Sequence, residues 1–190
     1  TYVWKEAARQ IREWKDRLNY SVPVSVNVSR VDMYDTALPE TLEGIIRDQG
    51  LSGRDMLLEV TESAYTQDSE QIISMVKRLR NMGFEIEMDD FGSGYSSLNI
   101  LREIPFDVLK IDKEFLTKNA DTDSGRFIIK KIIEMAEGLH ARVICEGVET
   151  KEQVDMLLEM GCIYAQGFYY SKPISLDEFL EKYNTRKVPA

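Results

Sequence analysis

The chain has 190 residues, 43% of them apolar, which suits one domain with a substantial core. Lys and Arg total 24 against 33 Asp and Glu, a formal charge of −9, which argues against binding of polymeric nucleic acid, because such binders display a basic face. A small anionic ligand stays compatible with that charge if a cation mediates the contact.

No run of 18 apolar residues occurs, and the stretch Thr1 to Arg9 lacks the apolar core of a signal peptide. The segment is therefore expected to make no membrane contact and to reside in the cytoplasm, which leaves room for a membrane-anchored parent with further domains. Cys145 and Cys162 have no zinc-like spacing, and Cys145, inside an apolar run, reads as a buried thiol in a reducing compartment. The single histidine, His140, follows an amphipathic helix and reads as a helix-end residue, so neither a Ser-His-Asp arrangement nor a histidine-rich zinc site fits.

In chain order, residues 2–18 carry apolar side chains at helical spacing. Residues 22–28 alternate as a strand, a helix follows at 38–49, and 56–62 is a second strand. Asp68 is expected to cap a helix that runs to about 82 and stops at Gly83. Strands at 84–89 and 107–112 bracket a short helix at 96–103. A helix at 123–139, a strand at 141–146, a helix at 151–160 closed by Gly161, and a short strand at 162–166 complete the alternation. Ser175 is expected to cap a last helix over 175–183. Strands alternating with helices imply parallel βαβ units, hence either a doubly wound sheet or a (β/α) barrel.

The unusual residues fall at one end of these strands: Asn27, then Glu59 and Glu62, Asp89 and Asp90, Lys110 and Asp112, Glu146, and Gln166. Contributions from many strand ends to one rim favour a TIM-type barrel, whereas a doubly wound sheet gathers its site at one switch point. No G-x-G-x-x-G follows the first strand, which weakens a dinucleotide reading. Alternation puts Leu57, Glu59 and Thr61 on one face, as it does Glu85, Glu87 and Asp89, and Val108, Lys110 and Asp112. Such a collection of carboxylate and amide oxygens suits Mg2+ or Mn2+. A divalent ion, or two bridged by one aspartate, would turn the repulsion between Asp89 and Asp90 into binding, and a pair of ions can polarise a phosphate and acidify a water. Plainer roles compete. Glu62 can be a loop anchor, Asp112 a cap for the segment after it, and Glu149 a favourable charge at a helix N-terminus. Trp4 and Trp14 read as packing residues, and the acids of 151–160 as a solvated face.

The motifs resemble those of the EAL domain, the phosphodiesterase family that opens cyclic di-GMP to linear pGpG. The resemblance rests on S-V-N-V-S at 25–29, L-E-V-T-E-S at 58–63, D-D-F-G-S-G-Y-S-S-L at 89–98, L-K-I-D at 109–112, E-G-V-E-T at 146–150 and Q-G-F-Y-Y-S-K-P at 166–173, in family order. It implies that Asn27, Glu59 and Asp89 hold a first metal ion, and that Asp89 and Asp90, with Glu146, hold a second. It implies that Lys110 orients the attacking water, that Gln166 supports site and substrate, and that Glu62 and Glu149 brace the site. Gly92 and Gly94 belong to the family's mobile loop.

Two departures stand out. The Glu-Ala-Leu tripeptide is absent; in the family it lies upstream, in a hairpin that supplies another metal ligand. The chain is thus expected to hold about six of the eight strands of a TIM-type (β/α) barrel, to have weak or no activity as it stands, and to associate as a homodimer through open sheet edges. Glu87 stands where the resemblance predicts a small apolar residue, with Lys110 as its possible partner. The resemblance also implies sensory or cyclase domains in the parent protein. A non-catalytic cyclic di-GMP receptor is the alternative function.

Overall fold

Every strand expected from the alternation forms, and the strands pair in the order in which they occur. A computed structural model describes residues 1–66, 69–92, 98–120 and 122–182. In it, β1 (Val24–Asn27), β2 (Met56–Thr61), β3 (Ile86–Phe91), β4 (Val108–Ile111), β5 (Arg142–Cys145) and β6 (Tyr164–Ala165) form one sheet in the order β1-β2-β3-β4-β5-β6. All neighbours are parallel. A doubly wound sheet would reverse its strand order at a switch point. This sheet never reverses, so it is an arc of a TIM-type barrel, with β1 and β6 as its two edges.

The described helices are α1 (Tyr2–Leu18), α2 (Arg30–Met33), α3 (Leu38–Asp48), α4 (Ser69–Asn81), α5 (Leu98–Glu103), α6 (Lys113–Asn119), α7 (Asp123–Gly138), α8 (Lys151–Glu159) and α9 (Leu176–Lys182). Their periodicity explains their docking. Trp4, Ala8 and Ile11 bury one stripe of α1, Ile72, Met75, Val76 and Leu79 one stripe of α4, and Ile129, Ile133 and Ala136 one of α7. These stripes meet the outward residues of the strands, Leu58, Val60, Ile86, Met88, Leu109 and Ile111, in one apolar cluster. Each such side chain contributes roughly 1.5–3 kcal/mol when fully buried.

Local chemistry sets the ends. Gly83 (φ 92°) and Gly161 (φ 91°) take left-handed angles after α4 and α8, and His140 (φ 62°) does so after α7, in keeping with its reading as a helix-end residue. Thr150 and Gln153 form a reciprocal cap on α8, and Ser175 Oγ accepts from the Glu178 amide at 3.3 Å. The cap assigned to Asp68 lies outside the described residues. The sequence reading missed α2 and α6, which have 4 and 7 residues and are too short for helical periodicity to register. Asp112 turns out to be the cap of α6, its carboxylate accepting from the Glu114 amide at 2.7 Å. No helix among the described residues is long and apolar enough to cross a membrane.

Because the core lies between strands and helices, Leu109→Ala in the fully buried centre of β4 should cost about 2–5 kcal/mol of stability. Urea unfolding followed by circular dichroism checks this; a loss below about 1 kcal/mol would contradict the packing described.

Candidate functional site

The parallel register builds the site row by row. Asn27 stands beside Glu59, Glu59 beside Glu87, and Thr61 beside Asp89. Past the ends of the strands the ladder continues. The amide of Val28 donates to the Glu59 carbonyl at 2.8 Å, that of Glu146 to Ile111 at 2.9 Å, and that of Gln166 to Cys145 at 2.9 Å. Asn27 is fixed from the other side by α1, whose Trp4 indole donates to the Asn27 carbonyl at 3.0 Å. That contact gives Trp4 the packing role expected of it.

Two adjacent aspartates on a regular strand would face opposite ways. Between β3 and β4, however, Met88 pairs with Leu109 and Phe91 with Ile111, so three steps on one strand match two on the other. The extra residue is a β-bulge, and Asp90 adopts φ 58° within it. Bulges re-aim side chains, and Asp is one of the few residue types that tolerate left-handed angles, at about 1–2 kcal/mol. The D-D pair itself was the clue to this bulge, since strict alternation cannot place both acids at one site.

Lys110 is the hub. Its side chain is only 7% exposed, and Nζ lies 2.5 Å from Glu59 Oε1, 2.7 Å from Glu146 Oε1 and 3.4 Å from Asp89 Oδ1. Burial alone would push the amine toward neutrality, but its hydrogen bonds to Glu146 and Glu59 carry its pKa above the ordinary lysine value. One ammonium cannot balance the acids. Burial holds the Glu146 carboxyl above its usual range, with Asp89 and Glu59 adding to the shift and Lys110 opposing it. Asp90 is raised by burial and then by Asp89 and Asp112. Asp89 Oδ1 is buried without a hydrogen bond; its 3.4 Å approach to Nζ is an ion-pair contact only.

These observations fit a divalent cation. The donors are hard oxygens, one buried oxygen is unbonded, and four carboxylates (Glu59, Asp89, Asp90, Glu146) face one ammonium, Lys110. Among the described residues no three acids already stand in a chelating arrangement. The ammonium holds the centre of the cluster.

Other sequence candidates surround this cluster. Glu62 is buried, and its Oε2 accepts from the Gly92 amide at 3.2 Å, tying the end of β3 to the turn after β2. Gly92 has φ 93°, and a Cβ there would stand 2.5 Å from the Phe115 ring, so the position requires glycine. Gly94 lies outside the described residues. Glu149 is exposed and pairs with Lys113, while its amide donates to Gln153 at 2.7 Å; Thr150 caps the helix instead. Asn27 and Gln166 are exposed at the rim. A cavity of about 240 Å³ opens there, lined by Lys113, Glu146, Glu149, Gln166 and Phe168 among others.

Glu87 is placed otherwise than expected. Lys110 pairs with Glu59 and Glu146, while Glu87, 2% exposed, interacts with the Ser25 hydroxyl and keeps Oε2 without a hydrogen bond. Nearby, Arg142 reaches Glu85 on the same inner face.

The sequence model described as the EAL domain matches residues 1–173. The cyclic di-GMP phosphodiesterase NbdA of Pseudomonas aeruginosa is 35% identical over 99% of this chain and 24% of its own length. The chain spans less than a third of the curated relatives it matches. The PaMucR phosphodiesterase in complex with c-di-GMP superimposes at a TM-score of 0.86, with 32% identity over 94% of this chain and 72% of that one. The Klebsiella pneumoniae BlrP1 complex with manganese and cy-diGMP gives 0.80, with 26% identity over 90% and 44%.

Glu87 offers a test of the inner face. Burial raises its carboxyl, an effect that Ser25 and Lys110 only partly offset. A carboxyl raised on folding binds more protons in the native than in the unfolded state, so its contribution to stability grows as pH falls through the folded value toward about 4.3. Wild type should therefore gain stability relative to Glu87→Gln between pH 7 and about 4.5 in urea unfolding. A difference that stays constant across that range would refute the burial of a raised carboxyl.

Proposed function

This chain belongs to the EAL domain family, and we propose that its parent protein is a metal-dependent phosphodiesterase that hydrolyses cyclic di-GMP to linear pGpG in bacterial second-messenger signalling. The observation that carries this reading is the excess of carboxylates over the single buried Lys110 ammonium at one rim. Glu59, Asp89 and Asn27 would hold one ion, and Asp89, Asp90 and Glu146 a second. Bound Mg2+ or Mn2+ would supply positive charge to the phosphate and acidify an attacking water. The manganese complex of the BlrP1 relative supports that choice of metal.

The chain's own groups do the rest. Lys110, kept charged, donates hydrogen bonds and orients the water toward phosphorus. Attack forms one P–O bond while the opposite P–O3′ bond breaks, and the departing 3′ oxygen takes up a proton. Glu62 holds the Gly92 amide, which steadies the end of β3 that carries both aspartates. Gln166 and Glu149 line the rim cavity, where Phe168 offers a face to a base. The overall charge of −9 repels a dinucleotide, so the affinity has to come from this local patch and its cations.

Among the described residues no three acids stand in a chelating arrangement, which favours a second reading for the 190-residue segment taken alone: weak turnover or none, with binding retained, as in a receptor. The single-paired edges β1 and β6 support a homodimer. The short span relative to its relatives supports a parent with sensory or cyclase domains.

The decisive assay incubates cyclic di-GMP with Mn2+ or Mg2+ and the chain extended by the family's upstream hairpin, and looks for pGpG. Asp89→Ala should lower turnover by more than the roughly 10–100-fold typical of groups that merely support a ligand. Absence of pGpG with either metal overturns the enzymatic reading, and calorimetric binding without hydrolysis establishes the receptor. Sedimentation of the 190-residue chain at micromolar concentration should show a dimer; a well-folded monomer counts against association through the edges.

A further inference from the structure

Glu87 is the most deeply buried acid of the inner face, 2% exposed, with an oxygen that has no hydrogen bond. It stands beside Glu59 in register and two residues before Asp89 on the same face. Burying a carboxylate without an answering charge or hydrogen bonds is costly. The Ser25 hydroxyl, Lys110 and Arg142 are the groups that favour its charged form. Arg142 is engaged by Glu85. Lys110 is engaged by Glu59 at 2.5 Å and Glu146 at 2.7 Å.

Both of those partners are carboxylates assigned to divalent ions in the proposed function, on which this inference rests. An ammonium that shares these carboxylates with a dication is repelled by it, because even two unit like charges at about 4 Å repel by roughly 4 kcal/mol at an effective dielectric of 20. Once ions take Glu59 and Glu146, Lys110 needs another anion, and the adjoining strand offers one. We propose that Glu87 is a positioning residue that takes over the Lys110 ammonium when Glu59 and Glu146 turn to metal. The exchange keeps the amine charged and on the inner face, beside the reacting phosphate, and stops it competing with the ions. It also accounts for an acid where the family resemblance predicts a small apolar side chain, since the buried oxygen is held in reserve for the loaded state.

The test is a double-mutant cycle read by Mn2+ calorimetry on the chain extended by the family's upstream hairpin, with folding of each variant verified by urea unfolding. Glu87→Gln should weaken Mn2+ binding about tenfold. On a Lys110→Met background the same change should matter by no more than about twofold, because no ammonium is left to receive. Glu87→Ala should repeat the result if the glutamine variant proves unstable. An equal loss on both backgrounds would make Glu87 a plain source of negative potential and overturn the proposal, as would an undiminished affinity in Glu87→Gln. If wild type binds Mn2+ and Asp89→Ala abolishes that binding while Glu87→Gln leaves it intact, the proposal fails and the metal site stands. If folded wild type binds no Mn2+, both fail.

Discussion

The Lys110 ammonium lies within ion-pair distance of Glu59, Glu146 and Asp89 on the inner face of the sheet, with its side chain almost wholly removed from water. Each carboxylate near it gains from the amine and loses to the other carboxylates, and the losses show. Glu146 and Asp90 are both held above the usual carboxyl range despite a cation beside them. A structural ion pair tends to match charge with charge, because breaking or unbalancing a buried pair is expensive. A site that keeps more acid than base in a partly dry place is built to accept further positive charge. This imbalance gives meaning to the neighbouring features.

The backbone that maintains it is stiff. Parallel pairing fixes the heights of Asn27, Glu59 and Glu87 relative to one another, and hydrogen bonds beyond the strand ends do the same for Glu146 and Gln166. Asp90 alone needs a departure from regular geometry, and the bulge in β3 supplies it. The strain of a left-handed aspartate persists because its surroundings over-determine it. Glu62 grips the next residues through Gly92, and Phe115 fills the space that a side chain at Gly92 would need. In the proposed enzyme, metal affinity and rate would depend on placement to within a fraction of an ångström, and these supports would matter as much as the ligands.

Much of this could be read from the residues, and the remainder was hidden for physical reasons. Alternation identified the faces of β2, β3 and β4, and the run of polar residues at the strand ends identified the rim. The barrel order followed from contributions by many strands. Which acids Lys110 would choose could not be read, because that depends on the relative heights of β2, β4 and β5, a tertiary quantity. Glu87 was a plausible partner by face and strand, yet Glu59 and Glu146 prevail at the observed register. The bulge leaves no periodic trace, and only the D-D pair points to it. α2 and α6 are too short to register as helical periodicity, although Asp112 reads as a cap for the segment after it.

The two faces of the sheet divide their labour. In a closed TIM barrel, layers of side chains also fill the interior. Here the apolar cluster lies outside the strands, where Leu58, Val60, Ile86, Met88, Leu109 and Ile111 meet the helices. The inner face carries Glu59, Glu85, Glu87, Asp89, Lys110 and Arg142, with the buried Leu57 and Val108 on the same side. Apolar surface left open to water costs free energy in proportion to its area. The same argument locates the weak points at the edges, where β6 is only two residues long and Tyr164 and Ile163 stand exposed. Covering those apolar side chains, more than filling the barrel's interior, is the gain that further strands or a second copy would bring.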